Sequence, residues 1–206
     1  MKRYFSLFIV MILTACSSSP TAPNRSQPEM KAAAGMVTTR TETTKKPKTK
    51  TERLYQQTIE LMKQSDLAKA KQNLLSLTES EPAWVGVWVN LGIIAMRQGD
   101  PVSAEAHFKQ ALARDERNAV AHNYLGMILR QQGQFKKAES AYLNALKYNK
   151  NYSYAWRNLG ILYDLYLLDY EQAKKTYLRY QQLVGERDQQ VAGWLADMER
   201  RAQVSN

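Results

Sequence analysis

The chain is 206 residues long, 44% apolar and 23% charged, with a formal net charge of +10. That length can bury one sizeable core, which excludes a wholly disordered chain. A single cysteine and two histidines exclude an intramolecular disulfide and leave too few ligands for a His/Cys metal centre.

In chain order, Lys2 and Arg3 precede an apolar run, Leu7 to Leu13, too short to span a membrane as a mature helix. The run closes on Leu13-Thr14-Ala15-Cys16, so residues 1–15 read as a cleaved leader. Residues 16–50 change composition: four of the six prolines (Pro20, Pro23, Pro28, Pro47) lie here among Ser and Thr, with no aromatic residue. Such a segment cannot bury enough apolar surface to offset its ordering entropy, so a disordered tether is expected. As a flexible coil it would span roughly 30–35 Å, and fully stretched on the order of 110 Å.

The positive charge is concentrated in that tether, where seven basic residues face two acidic ones. The remainder, 51–206, holds 20 basic and 17 acidic residues, a net of +3. No basic stripe of the kind that tracks nucleic acid emerges. The cluster Lys45-Lys46-Pro47-Lys48-Thr49-Lys50 reads as a solvated linker, with contact to anionic head groups or cell-wall polymer as the less favoured reading.

From Thr51 the sequence repeats every 34 residues, in blocks 51–84, 85–118, 119–152 and 153–184. Place 4 of the blocks is Leu54, Trp88, His122 and Trp156, and places 7 and 8 are Gln57-Thr58, Leu91-Gly92, Leu125-Gly126 and Leu159-Gly160. Place 20 is Ala70, Ala104 and Ala138, and place 24 is Leu74, Phe108 and Tyr142. Each block carries two helical patterns broken at place 15 by Ser65, Gly99, Gly133 or Leu167. Asp100-Pro101 supplies an N-cap and a first-position proline, and Asp66 is placed to cap in the same way. In the fourth block Ala173 and Tyr177 fall one place late, after Leu167-Leu168. A last amphipathic stretch, 188–201, sets Val191, Trp194, Leu195 and Met198 on one face. A fixed period of this length means stacked helix pairs that bury their apolar faces against one another. The expected fold is therefore all-α, a solenoid of four helix pairs with a capping helix in residues 185–206.

Two resemblances follow from these residues. Leu13-Thr14-Ala15-Cys16 resembles the lipobox of bacterial lipoproteins, which implies cleavage before Cys16 and lipid on that cysteine (a palmitate-type anchor). Ser17 is not the aspartate associated with inner-membrane retention, so the resemblance implies the outer membrane, periplasmic side. Trp-x-x-Leu-Gly at 88–92 and 156–160, with Ala104 and Phe108 or Ala138 and Tyr142 downstream, resembles the tetratricopeptide repeat. The match covers about 51–184, with a degenerate first block.

That resemblance implies a concave groove lined by the first helix of each repeat at places 2, 5, 9, 12 and 13. The groove candidates are Tyr55, Ile59, Met62 and Lys63, then Val89, Ile93, Met96 and Arg97. The third and fourth blocks add Asn123, Met127, Arg130 and Gln131, and Tyr154, Arg157, Ile161 and Asp164. Polarizable methionines suit an apolar peptide and the arginines suit its carboxylates; the competing reading makes the methionines inter-repeat filler. The lysine–asparagine pattern that clamps chaperone tails is absent. A second patch holds eight of the twelve tyrosines between Tyr148 and Tyr180, with Tyr148, Tyr152, Tyr154, Tyr166 and Tyr170 beyond what a repeat core needs.

No catalytic residues, metal ligands or cofactor site are expected. His122 sits where Trp packs in neighbouring blocks, His107 is expected in solvent, and no Gly-rich phosphate loop or Gly-x-Ser-x-Gly elbow occurs. The expected function is an outer-membrane-anchored periplasmic adaptor that binds an envelope protein or peptide. Lipoproteins of this plan include pilotins of the type IV pilus secretin and companions of TonB–ExbB systems. Cell-wall binding or remodelling, or the organisation of cell-wall enzymes, is the alternative, and self-association through the repeat ends is a further possibility.

Overall fold

The computed structural model describes residues 49–185 and 188–204, with side chains described as far as Arg200. The leader, Cys16 and nearly all of the tether lie outside the described residues.

Four helix pairs follow one another: α1 (Lys50–Lys63) with α2 (Leu67–Ser80), α3 (Val85–Arg97) with α4 (Pro101–Arg114), α5 (Ala119–Gln131) with α6 (Phe135–Tyr148), and α7 (Ser153–Leu162) with α8 (Tyr170–Val184). A ninth helix, α9 (Gln189–Val204), follows. No strand occurs among the described residues.

Local chemistry sets the helix starts. Thr49 and Glu52 form a capping box on α1: the Thr49 Oγ1 accepts from Glu52 N–H at 3.1 Å, and Glu52 Oε2 accepts from Thr49 N–H at 3.2 Å. The expected caps Asp66 and Asp100 accept from Lys69 N–H and Ser103 N–H, and Asn118 and Asp169 do the same for α5 and α8. Pro101 opens α4, where its missing N–H leaves no carbonyl unpaired.

The core explains the Leu-Gly signature. Phe108, Tyr142 and Tyr177 are fully buried, each ring lying over the glycine of its own repeat. A Cβ on Gly92, Gly126 or Gly160 would come within 2.6, 2.6 and 2.5 Å of Phe108, Tyr142 and Tyr177. Repeat 1 solves the same volume differently, with the buried Thr58 at place 8 and the smaller Leu74 at place 24. Ala70, Ala104 and Ala138 have no exposed surface, as close helix approach demands.

Place 4 carries a second repeated device. Trp88 and Trp156 donate Nε1–H to the carbonyl six residues earlier, Pro82 O at 3.0 Å and Lys150 O at 2.9 Å. His122 Nε2 lies 2.8 Å from Glu116 O, again six residues back. A carbonyl oxygen only accepts, so this nitrogen carries the hydrogen and His122 reproduces the Trp bond. The packing role expected of His122 is thus given a geometry, completed by stacking on Tyr148 at 5.6 Å. His107 departs from expectation: its ring is half-buried against Trp88 at 6.1 Å. Burial, and next the charge of Lys71, hold its pKa below the usual histidine range.

The turn of repeat 4 is irregular, as its shifted register foretold. Between α7 and α8 the chain makes a π-helical turn, Tyr163–Leu167, that absorbs one extra residue. The left-handed residue closing the turn is Ser65, Gly99 and Gly133 in the first three repeats, at φ 63°, 75° and 73°. In the fourth it is Leu168 at φ 55°, a conformation costing an L-residue roughly 1–2 kcal/mol.

Helix α9 stands where the first helix of a fifth repeat would. Trp194 meets Tyr177 at 5.3 Å much as Tyr124 meets Phe108 at 4.9 Å, and Val191, Leu195 and Met198 are buried. No helix among the described residues is long and apolar enough to cross a membrane.

Candidate interaction surface

The first helices α1, α3, α5 and α7 carry the groove candidates, and most of these turn out to hold the repeats together. Met62, Met96 and Met127 are at most 4% exposed. Ile59, Val89, Ile93, Asn123 and Ile161 are buried as well. The methionines therefore fill space between repeats in this conformation and present little surface to a peptide.

The arginines are engaged too. Arg97 donates from Nη1 to Met62 O at 3.1 Å, neutralising carbonyl density at the end of α1, while the rest of its side chain is exposed. Arg130 is buried with its guanidinium over the Tyr166 ring at 5.5 Å. Arg157 is buried over Trp194 at 5.3 Å, donates to Gln190 Oε1 at 2.7 Å and lies 3.9 Å from the Asp188 carboxylate. It fastens α9 to α7. Asp164 is also buried, accepting from Tyr177 Oη at 3.4 Å.

A polar ladder runs across alternate repeat joints. Asn90 Nδ2 donates to Tyr55 Oη at 2.9 Å, and Asn158 Nδ2 donates to Asn123 Oδ1 at 3.0 Å. Both bonds link place 5 of one repeat to place 6 of the next. The joint between them has Val89 and Tyr124 at those places, with Tyr124 stacked on Phe108. The ladder fixes register, because an amide slipped by one residue would lose its partner inside a buried seam.

Of the candidate side chains, Tyr55, Lys63, Arg97, Gln131 and Tyr154 keep accessible surface. Tyr55 meets Trp84 edge-on at 5.9 Å, and Tyr154 meets Tyr152 edge-on at 5.9 Å. Trp84 and Tyr152 stand just before the first helices α3 and α7, two repeats apart; Tyr55 reaches Trp84 from the middle of α1 and Tyr154 reaches Tyr152 from the first turn of α7. Burial raises the pKa of Tyr152 and Tyr124, so both stay neutral. Tyr180 donates to Asp188 Oδ2 at 2.9 Å, and burial followed by that bond pushes its pKa up to about 12.

The tyrosine patch divides. Tyr148 is half-buried on His122, Tyr166 packs on Phe135 at 4.9 Å, and Tyr170 is 46% exposed. The sequence reading missed the Tyr55–Trp84 pair; the signal was an aromatic at place 34 in blocks 1 and 3, Trp84 and Tyr152. It also missed where the exposed apolar residues lie. Leu75, Val102, Leu143, Leu168, Tyr170 and Leu178 all belong to second helices or turns and none to a first helix. Among the described residues no group of His, Cys, Asp and Glu is placed to hold a metal ion.

Comparison with known proteins agrees with this architecture. Residues 55–119, 89–154 and 125–165 match the tetratricopeptide repeat pattern, together more than half of the chain. No curated protein sequence matches significantly. Among solved structures, PilF of Pseudomonas aeruginosa superposes with a TM-score of 0.66 at 23% identity, over 74% of this chain and 69% of that one. The first tetratricopeptide domain of Spaghetti (RPAP3), bound to the HSP90 peptide SRMEEVD, gives 0.54 at 22% identity over 58% and 95%. MamA gives 0.57 at 18% identity over 74% and 88%. At these identities the likeness is one of fold. The chain belongs to the tetratricopeptide repeat family.

Proposed function

We propose that this protein is a non-catalytic adaptor, held by lipid on Cys16 at the periplasmic face of the outer membrane, that grips an envelope protein or peptide with its first-helix face. The observation that carries the reading is the set of side chains left accessible there. Tyr55, Arg97 and Tyr154 are aromatic or guanidinium groups, each braced by a neighbour: Trp84, Met62 O and Tyr152. Such groups anchor interfaces because they bring large contact area with few rotors left to freeze. The polar ladder beneath them keeps the face rigid, which lowers the entropic cost of binding.

The envelope setting rests on Cys16 and the leader before it, and the long tether lets the repeats work away from the bilayer. A secretin-assembling or TonB–ExbB-type machine is the system proposed, from the likeness of the whole plan to lipoproteins of those systems. The fold shared with PilF is compatible with it.

The test is photo-crosslinking in living cells from Arg97 and Tyr154, with the exposed Lys136 on α6 as control. One protein trapped from both first-helix sites and not from Lys136 is the expected result; equal trapping from all three, or none, overturns the reading. Metabolic labelling with a palmitate analogue tests the anchor separately: label should be lost in Cys16→Ser.

A further inference from the structure

Apart from Leu168 in the last turn, every exposed large apolar side chain among the described residues stands on a second helix. Two of these helices are neighbours. α4 and α6 both pack on α5, and as second helices of successive repeats they run in the same direction. Val102 on α4 is 79% exposed and Leu143 on α6 47%. Singly exposed residues of this kind are common and by themselves identify no partner. The charges beside them differ in sign between the two helices, and that difference does.

With its flanking turns, α4 lies in residues 98–118, which hold four acids (Asp100, Glu105, Asp115, Glu116) and three bases (Lys109, Arg114, Arg117), a net of −1. Residues 132–152, around α6, hold four bases (Lys136, Lys137, Lys147, Lys150) and Glu139, a net of +3. Lys109 pairs with Glu105 at 2.7 Å and Lys136 with Glu139 at 3.2 Å, which cancels one charge of each sign in each segment. Arg114 is turned back over the Trp88 ring at 4.3 Å and onto Pro82 O. Acid therefore stands at both ends of α4, with Arg117 the one base left beside it, and base stands at both ends of α6. The outer second helices are not divided in this way. On α2 (Lys69, Lys71, Glu79) and on α8 (Glu171, Lys174, Lys175, Arg179) bases outnumber acids alike.

We propose that a second copy of this chain docks on this face, α4 lying antiparallel on α6 of the other copy and α6 on its α4. A two-fold axis normal to the face, between the two helices, reverses their direction and makes every contact twice. The start of α4, with Asp100 and Glu105, then meets Lys147 and Lys150 at the end of α6. The end of α4, with Asp115 and Glu116, meets Lys136 and Lys137 at the start of α6. Val102 and Leu143 supply the apolar contact between them. Setting α4 on α4, or α6 on α6, would bring like charges together. An anionic lipid surface would suit α6 and be repelled by the ends of α4. A second copy carries both signs in the right places. The net-basic α2 and α8 face one another across the same axis, which keeps the contact centred on α4 and α6. Two helices of 14 residues, each about 21 Å long, offer on the order of 400 Å² per copy, the low end for a specific contact. The dimer is therefore weak and reversible, and a covalent trap is the way to see it. This contact uses the second helices and does not depend on the adaptor reading of the first-helix face.

The experiment co-expresses two differently tagged copies of the full chain in cells, with a photoreactive residue at the exposed Ala106 of α4 in one of them. The control is Gln72 of α2, exposed at the same place of repeat 1. A two-chain adduct carrying both tags is expected from Ala106 and not from Gln72. Glu116→Lys and Lys137→Glu, each made in both copies, should lower its yield about ten-fold, because each reversal acts at two symmetric contacts. The two reversals combined in one chain should bring the yield back to within about three-fold of the parent. That recovery separates loss of contact from loss of fold, since a misfolded variant is not repaired by a second surface substitution in another repeat. Leu143→Ser should lower the yield without changing the melting temperature by more than about 2 °C. No two-chain adduct from Ala106, or an equal one from Gln72, overturns the proposal. So does an adduct to a different protein in place of the second copy, a parental yield in both single reversals, or a combined variant no better than either.

Discussion

In repeat 2 the first helix ends at Arg97, one glycine at φ 75° turns the chain, and Pro101 opens the second helix. In repeat 4 the first helix ends at Leu162, runs through a π turn, and turns on Leu168 at φ 55°. Yet both repeats seat a fully buried ring on a glycine, Phe108 on Gly92 and Tyr177 on Gly160. The inserted residue has been taken up entirely in the turn, and the packing below it is intact. The repeat plan thus tolerates change at its ends far better than at its ring–glycine contacts, because only the latter are enclosed on all sides.

The largest difference between the two halves should appear in alkali. The tyrosines with raised pKa values, Tyr124, Tyr142, Tyr152, Tyr163 and Tyr180, all belong to repeats 3 and 4, whereas repeat 2 uses Phe108. Tyr142 is pushed up to about 12 by burial, against 10 in the unfolded chain. A group so raised leaves stability intact below pH 10, and the contribution is lost as pH climbs through 10 to 12, by roughly 2–3 kcal/mol for Tyr142 alone. Repeat arrays need not unfold as one unit. Fluorescence of single-tryptophan variants should therefore report loss of structure around Trp156 at a lower pH than around Trp88. Tyr142→Phe should move the alkaline midpoint upward at a cost of no more than about 1 kcal/mol at pH 7, since the buried hydroxyl makes no well-formed hydrogen bond and meets only the nearby Arg130 guanidinium. Simultaneous transitions at both tryptophans would show that the halves are fully coupled.

Next in size is the ring–glycine contact itself. Gly92→Ala and Gly160→Ala should each destabilise by about 1–3 kcal/mol, despite alanine's better helix propensity, because the added carbon meets a ring that cannot withdraw. Thermal melts of the two variants compare the repeats directly. If Gly160→Ala were tolerated while Gly92→Ala was not, the insertion would have loosened the core of repeat 4 after all. Combining Gly92→Ala with Phe108→Leu approximates the arrangement of repeat 1, Thr58 with Leu74, and should recover part of the loss.

These contrasts also explain what could be read in advance. The period, the helix pairs, the Asp66 and Asp100 caps and the face of α9 are local or periodic features, and periodicity survives translation into structure. The one-residue shift at Leu167-Leu168 located the irregular turn, but not its π geometry, since sequence does not say whether an extra residue bulges or unwinds. The groove was less legible. Places 9 and 12 face both the concave side and the neighbouring repeat, so Met62, Met96 and Met127 satisfy either reading until the helix spacing is known. Arg130 and Arg157 were read as pairing groups for a partner; their own partners, Tyr166 and Trp194, lie 36 and 37 residues on, beyond any local rule.

The smallest effect concerns repeat 3, where His122 stands at the place that tryptophan holds in repeats 2 and 4. His122→Ala should cost about 1 kcal/mol, the net worth of one hydrogen bond with some lost stacking on Tyr148. His122→Trp restores the donor found at Trp88 and Trp156, and its target carbonyl, Glu116 O, sits at the same offset of six residues. The substitution should leave the melting temperature within about 2 °C of the parent or raise it. A large drop would mean that Tyr148, stacked where Trp88 instead has His107 beside it, occupies the space an indole needs. In that case repeats 2 and 3 share the hydrogen bond but not the pocket, and the histidine was selected by volume.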